Sequence, residues 1–128
     1  MRQVAEKPIS AVGSGNITSA TIDARQYYRI AGQVVVGAGA ATAGSLQLQY
    51  SCDPVSGVNI TPSGITGVTN WSNFGTAVTV SGAATQSIVF SSIPFSDIGY
   101  AWIRAVYTDT SGGAGLGLVT VNLNFQGF

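Results

Sequence analysis

The 128-residue chain is long enough for one domain with a buried core and too short for two domains of ordinary size. Charged residues make up 8% of it, against about a quarter in ordinary globular proteins, and five basic and five acidic residues cancel to a net charge of zero. Without a basic surplus, the composition argues against a nucleic-acid partner and against binding to an anionic membrane surface. A neutral surface also gives little repulsion between copies, which favours assembly with neighbouring subunits.

Side chains that carry catalysis or hold metals are scarce. The chain has no histidine, and its five carboxylates are dispersed, mostly beside turns, where Asp usually caps the backbone. The one cysteine, Cys52, excludes an intrachain disulfide, and its place in an alternating apolar stripe predicts a small buried side chain. No spacing of ligands for zinc or for an EF-hand calcium site is present. We therefore predict that the protein is not an enzyme and needs no cofactor.

The start of the chain, from Met1 to Pro8, lacks the apolar core of a signal peptide. No later apolar run approaches the length of a membrane span. We therefore expect synthesis in a cytoplasm and no membrane partner.

The first sixteen residues differ from the rest of the chain. They hold three of the ten charged residues, Pro8 and a Gly-Ser-Gly break at 13–15. This composition predicts an extended N-terminal arm at residues 1–16, frayed or docked on a partner, followed by a single domain at 17–128. The candidate contact residues in a docked arm are Arg2, Val4, Lys7, Pro8 and Ile9.

Beyond the arm, alternating polar and apolar residues predict β-strands. At 17–23 the density of β-branched residues favours a strand over a short helix. Clear alternation predicts strands at 27–36 and 45–52. Residues 53–75 are rich in Pro, Gly and polar side chains and predict a long loop, a kind of segment that often carries function.

The second half of the chain continues the pattern. Two short strands at 76–81 and 86–91, joined by a Gly-Ala-Ala turn, predict a hairpin. Residues 100–108 have bulky apolar residues on both faces and predict a central strand, and alternation returns at 118–125. Together these elements predict an all-β fold, an antiparallel β-sandwich of jelly-roll-like type.

Two aromatic residues and one arginine are candidates for contacts. Trp102 lies in the central strand and is predicted to be core. Trp71 ends the long loop and either plugs the open edge of the sandwich or presents a binding surface. Arg104 is buried with a carboxylate, stacked on an aromatic ring, or exposed where a second subunit docks. Tyr107 is a further candidate contact residue.

Four segments together resemble a known class of proteins. The run LQLQYSCD at 46–53, the Asn-Trp-Ser at 70–72 followed by VTVSG at 78–82, and YAWIRAVYT at 100–108 resemble small β-sandwich structural proteins of tailed bacteriophages. The resemblance covers about residues 17–128. It implies a virion part, with Asp53 capping the long loop and Trp71 packed under it. Cys52 stands where the pattern more often has a polar residue.

The resemblance and the composition together lead to an expected function. We expect a non-enzymatic virion protein that decorates or cements a phage capsid through its arm and neutral β surface. The expected partners are the major capsid protein and copies of itself, as an oligomer with a trimer as one candidate, after synthesis in the host cytoplasm. The alternative is a carbohydrate- or receptor-binding module on a tail or fibre, using Trp71, Tyr107 and the 53–75 loop.

Overall fold

Two antiparallel β-sheets packed face to face make up most of the molecule. The computed structural model describes residues 2–12, 15–37, 44–80, 86–89, 96–97, 102–110 and 118–127. Within these ranges the one helical element is a 3₁₀ turn at Val55–Gly57. In chain order the strands are β1 (Arg2–Val12), β2 (Ile17–Thr18), β3 (Ile22–Asp23), β4 (Tyr27–Val36), β5 (Gly44–Ser51), β6 (Asn59–Thr61), β7 (Gly64–Thr66), β8 (Ser72–Val80), β9 (Gln86–Val89), β10 (Ser96–Asp97), β11 (Trp102–Asp109) and β12 (Leu118–Gly127).

The strand order is that of a jelly roll. Sheet A has the order β1-β12-β4-β10, with β9 also paired to β4, and sheet B has the order β2-β11-β5-β8, with β3 also paired to β11. Strands β6 and β7 form a separate hairpin within the long loop. Taking β2 with β3 and β9 with β10 as single strands, and leaving out the β6–β7 hairpin, gives eight strands. Numbered from one to eight in chain order, they are ordered 1-8-3-6 in sheet A and 2-7-4-5 in sheet B. This confirms the predicted antiparallel sandwich of jelly-roll type.

The core lies between the sheets and follows the alternation that the sequence shows. In β12 every second residue from Val119 to Phe125 is at most 1% exposed, and in β5 the same is true of Leu46 and Leu48. Strand β11 lies between β5 and the short strands β2 and β3, so its predicted central position is confirmed. The largest side chains of this core are Tyr107, Phe125, Ile30, Leu46, Leu48, Ile103, Leu123 and Val34.

The N-terminal segment is a strand of sheet A, and the expectation that it lies outside the core is wrong. Strand β1 pairs with β12 from Arg2 opposite Gly127 to Val12 opposite Leu118. Ile9 is 2% exposed and belongs to the core. The register shifts between Glu6 and Ile9, and this irregularity accommodates Pro8, which cannot donate to a ladder. Charge and proline, which suggested an arm, are here features of an edge strand.

The predicted hairpin between 76–81 and 86–91 is also wrong. Strand β8 starts earlier, at Ser72, and pairs with β5 in sheet B. Strand β9 pairs with β4 in sheet A, so the two strands lie in different sheets. The proposed turn at 82–84 and residues 90–91 lie outside the described residues. Short strands separated by a Gly-rich segment fit a crossing between sheets as well as a hairpin.

Cys52 is exposed, which contradicts its predicted burial. Strand β5 ends at Ser51, so the alternation stops one residue before the cysteine. Ser51 itself is 1% exposed, and its Oγ accepts a hydrogen bond from the Asp53 backbone N–H at 3.1 Å. The side-chain pattern of a strand does not extend into the turn that follows it.

No helix in the described ranges is both long enough and apolar enough to cross a membrane.

Candidate functional site

A line of polar side chains crosses the outer face of sheet B. Arg104 in β11 lies opposite Gln49 in β5, and Gln49 lies opposite Asn73 in β8. Residues paired across antiparallel strands share a face, so the three side chains meet. The Arg104 Nε donates to Gln49 Oε1 at 2.8 Å, and Gln49 Nε2 donates to Asn73 Oδ1 at 3.3 Å. These three residues, with Trp71, are called the Arg104 ladder below.

Trp71 covers one face of the guanidinium. The Arg104 Cζ lies 4.3 Å from the centroid of the Trp71 ring, which is cation–π distance. The Trp71 Nε1 donates to the Val68 carbonyl at 3.3 Å, which ties the ring to the long loop. Of the three environments predicted for Arg104, the structure has the aromatic stack. Trp71 is half-buried on the outer face of sheet B, so part of its side chain is exposed there.

The guanidinium of Arg104 has no carboxylate partner among the described residues. Its side chain is half-buried, and desolvation lowers the pKa of Arg104 from the usual value. The hydrogen bond to Gln49 uses Nε, and in the described part of the chain neither Nη nitrogen has a hydrogen-bond partner. The ladder therefore holds a positive charge that is fixed in place and partly desolvated. Both Nη nitrogens of Arg104 remain able to donate hydrogen bonds.

A second arginine stacks on the other tryptophan. Trp102 lies two residues from Arg104 on the outer face, yet it is 0% exposed and outside the core cluster. It is covered by Arg25, whose Cζ lies 5.2 Å from the ring centroid, and its Nε1 donates to the Asp53 carbonyl at 2.9 Å. The predicted burial of Trp102 is confirmed, but its cover is the long loop and Arg25.

Arg25 differs from Arg104 because it has a counter-ion. Its Nη2 and Nε donate to the two carboxylate oxygens of Asp23 at 2.7 and 2.9 Å. This hydrogen bonding to Arg25 lowers the pKa of Asp23. The two arginine–tryptophan stacks therefore differ in charge. The charge of Arg25 is paired with Asp23, whereas that of Arg104 has no carboxylate partner among the described residues.

Asp53 fastens the long loop beside the ladder. Its Oδ2 accepts the backbone N–H groups of Thr69 at 2.8 Å and Asn70 at 3.2 Å, and its Oδ1 accepts Asn70 Nδ2 at 2.7 Å. These bonds, with Thr69 the largest cause, lower the pKa of Asp53. Because Trp71 follows Asn70, the carboxylate holds the indole next to Arg104. The structure thus assigns Asp53 a capping role, as the sequence predicts.

Of the predicted contact residues, the structure brings Trp71 and Arg104 together. Tyr107 is 0% exposed and points into the core, and so does Ile9, so neither is available to a partner in this fold and both predictions are wrong. The reason for Tyr107 is its strand phase, because it alternates with Arg104 and Val106 and so faces the other way.

The other predicted contact residues lie along β1. Val4 pairs with Phe125, and Lys7 and Pro8 lie at the register shift on the edge of sheet A. The backbone of Arg2 pairs with that of Gly127. None of these residues approaches the ladder through a described contact, and their role as partner contacts stays a prediction. Gln49 and Asn73 were not among the predicted contact residues. Their side chains lie on the outer face of β5 and of the start of β8, which becomes clear once the strand register is known.

The outer face of sheet A carries an open depression of about 760 Å³. Asn124 pairs with Ala5 on one side and with Ala31 on the other. The small side chains of these alanines form the floor of the depression. The amides of Gln3, Gln33 and Asn122 surround this floor, with Glu6 and Lys7 at its β1 side. The result is a shallow, mostly neutral surface lined by hydrogen-bonding groups.

Across the described ranges, no group of three or more Cys, Asp or Glu residues is placed to hold a metal ion.

No protein-family model matches the sequence, and none of the curated proteins matches it either. Several solved structures are similar in fold. The SPBc2 prophage-derived protein YomS is 10% identical, with 97% of this chain and 92% of that one covered and a TM-score of 0.52. PirA is 11% identical, with 98% and 92% covered and a TM-score of 0.49. A chain of infectious bursal disease virus, Gx strain, is 16% identical, with 97% and 32% covered and a TM-score of 0.48.

These identities are low, so the likenesses concern the fold alone. The TM-score above 0.5 to YomS extends over almost the whole of both chains. The β-sandwich is therefore an architecture that this chain shares with a prophage-derived protein.

Proposed function

We propose that the protein is a non-enzymatic structural component of a phage virion that decorates or cements the capsid. Its partners in this proposal are the major capsid protein and copies of itself, with a trimer as the oligomer to test first. The fold shared with a prophage-derived protein supports this assignment at the level of architecture. The sequence resemblance to small phage sandwich proteins supports the same class.

The observation that carries the proposal is the neutral depression on the outer face of sheet A. Its amides offer donors and acceptors to a partner, and its alanine floor admits a protruding segment. Covering amides that find new partners costs less than covering charges, so such a face is suited to a permanent contact. Many copies that bind the assembled shell better than its free subunits stabilise the shell by mass action.

The position of β1 in sheet A determines how the protein would contact the capsid in this proposal. Because β1 is built into sheet A, it acts in this proposal as one wall of the depression, with Lys7 on the outer side. The N-terminal arm of the original expectation is replaced by a preformed face. A preformed face loses less conformational entropy on binding than a segment that must become ordered.

The test is to fill the depression. Ala31→Arg places a long side chain on the floor of the depression. Ala77→Arg is the matched control, because Ala77 is an exposed residue of β8 outside the depression. We expect both variants to fold, by circular dichroism, and the first to lose occupancy on purified capsids by about tenfold or more. Equal occupancy of the two variants would contradict the assignment of this face.

A second candidate function is favoured by the Arg104 ladder. Trp71 offers an indole surface, and Gln49 and Asn73 offer amides close to it, a combination suited to binding a carbohydrate. In this candidate the protein is a glycan-binding module of a tail or fibre. Trp71→Ala is expected to abolish binding on a glycan array while the fold is retained, and loss of the fold would instead make Trp71 structural.

A further inference from the structure

The Arg104 ladder holds a positive charge that the described part of the protein leaves without a counter-ion. The two carboxylates on the neighbouring part of this face are engaged elsewhere, Asp23 with Arg25 and Asp53 with the backbone of Thr69 and Asn70. Partial burial weakens the hydration of the guanidinium, so a charge without a partner costs free energy. A bound anion would recover that cost.

The guanidinium is also held in one orientation. Trp71 covers one face at 4.3 Å, and Gln49 receives the Nε hydrogen at 2.8 Å. Neither contact uses the two Nη nitrogens, which have no hydrogen-bond partner among the described residues. A pair of parallel N–H donors in a fixed plane matches the two oxygens of a carboxylate.

The surroundings favour a sugar as the carrier of that carboxylate. Asn73 is exposed and Gln49 half-buried, and both are neutral amides that can bond hydroxyl groups. The Trp71 indole is half-buried, so part of its apolar surface is open to the C–H face of a pyranose ring. We infer that the Arg104 ladder binds a sugar residue that bears a carboxylate, of the uronic or sialic acid class. This inference rests on the second candidate function above.

The experiment uses the full chain labelled with ¹⁵N. It is titrated with the methyl glycosides of glucuronic, galacturonic and N-acetylneuraminic acids, each compared with its neutral methyl ester. The chain has two tryptophans, so Trp71 reports on the ladder and the buried Trp102 serves as an internal control. We expect at least one acid to shift the Trp71 indole signal saturably, and its ester to bind roughly ten- to a hundredfold more weakly.

Two variants separate the charge from its geometry. Arg104→Lys keeps the charge but loses the planar donors, and we expect it to weaken binding as much as esterification does. Arg25→Lys is the matched control, because Arg25 also stacks on a tryptophan but is paired with Asp23, and it should leave the affinity unchanged.

Failure of the carboxylate inference can be distinguished from failure of the two functions proposed above. If no acid binds, or if acid and ester bind equally, the carboxylate inference is overturned. Equal binding of acid and ester would leave glycan binding intact. Occupancy on capsids is measured separately, so the virion role stands or falls independently of this titration.

Discussion

Among single residues, Gly44 has no room for a side chain because the ring of Tyr107 packs against it. A Cβ added at Gly44 would lie 2.6 and 2.7 Å from Cε2 and Cζ of the Tyr107 ring, which is buried in the core. We therefore expect Gly44→Ala to lower the free energy of unfolding by about 1–3 kcal/mol, the usual cost of overpacking. Urea denaturation measures this. At Gly57 an added Cβ meets nothing within 4 Å, so Gly57→Ala is the control. Equal stability of the two variants would contradict this account of Gly44.

The Asp53 carboxylate makes the attachment of the long loop sensitive to acid. Its pKa is lowered in the folded state by the bonds from Thr69 and Asn70, so the stabilisation is complete above the unfolded pKa of about 3.9. It is lost as the pH falls through the lower, folded value. We expect the amide signals of Thr69 and Asn70 to shift together in an NMR titration below that pH. Asp53→Asn should remove this transition, and its persistence in the variant would assign it to another group.

At the level of elements, the irregular edge strand β8 depends on one glutamine. The register jumps from Leu46 opposite Val78 to Leu48 opposite Phe74, so three residues of β8 face Gln47. The Gln47 Nε2 lies 2.8 Å from the Leu48 carbonyl and 3.2 Å from those of Phe74 and Gly75. It therefore supplies donors where the ladder is interrupted.

Removing that amide should destabilise the fold. We expect Gln47→Met to lower the free energy of unfolding by about 1–3 kcal/mol, because part-buried carbonyls lose their donor. Gln33→Met is the control, since Gln33 donates to the exposed Ser87 and its loss should cost within about 0.5 kcal/mol. Chemical denaturation of both variants gives the comparison. A cost at Gln33 as large as at Gln47 would refute the role given to the bulge.

Among the described side chains of strand β1, that of Ile9 belongs to the core. At 2% exposure, its truncation in Ile9→Ala should cost about 2–4 kcal/mol of stability by leaving a cavity. The neighbouring Ser10 is exposed, and Ser10→Ala should change stability by less than about 0.5 kcal/mol. Thermal and urea unfolding test both. An Ile9→Ala variant as stable as the parent would support a detached arm after all.

Considered as a whole molecule, the fold was predictable where one face of a strand is buried and the other is not. Strand β4 has the predicted bounds, and β5 and β12 differ from theirs by one or two residues. Strand β1 was missed because edge strands carry charge and proline, which are also signs of loops. The sheet that accepts β8 or β9 depends on long-range pairing, which a short local pattern does not encode.

The candidate site was predictable only in part, for the same reason. Trp71 and Arg104 are noticeable because an indole near a loop end and a charge in an apolar strand are uncommon. Gln49 and Asn73 are ordinary polar residues on exposed strand faces, and they gain importance from the register that places them beside Arg104. Tyr107 was assigned to the surface because both faces of its strand carry bulky residues, which obscures the phase.

The described surface presents a neutral face with the depression of sheet A and a second face with the positively charged Arg104 ladder. In the proposed function, this surface belongs to the capsid of a virion. The copy number of the protein in purified particles, measured by quantitative mass spectrometry against the major capsid protein, tests this claim. We predict a number of copies comparable to that of the capsid subunit. Absence from the particles would contradict the claim, and a count of only a few copies would contradict decoration of the shell and favour the tail or fibre.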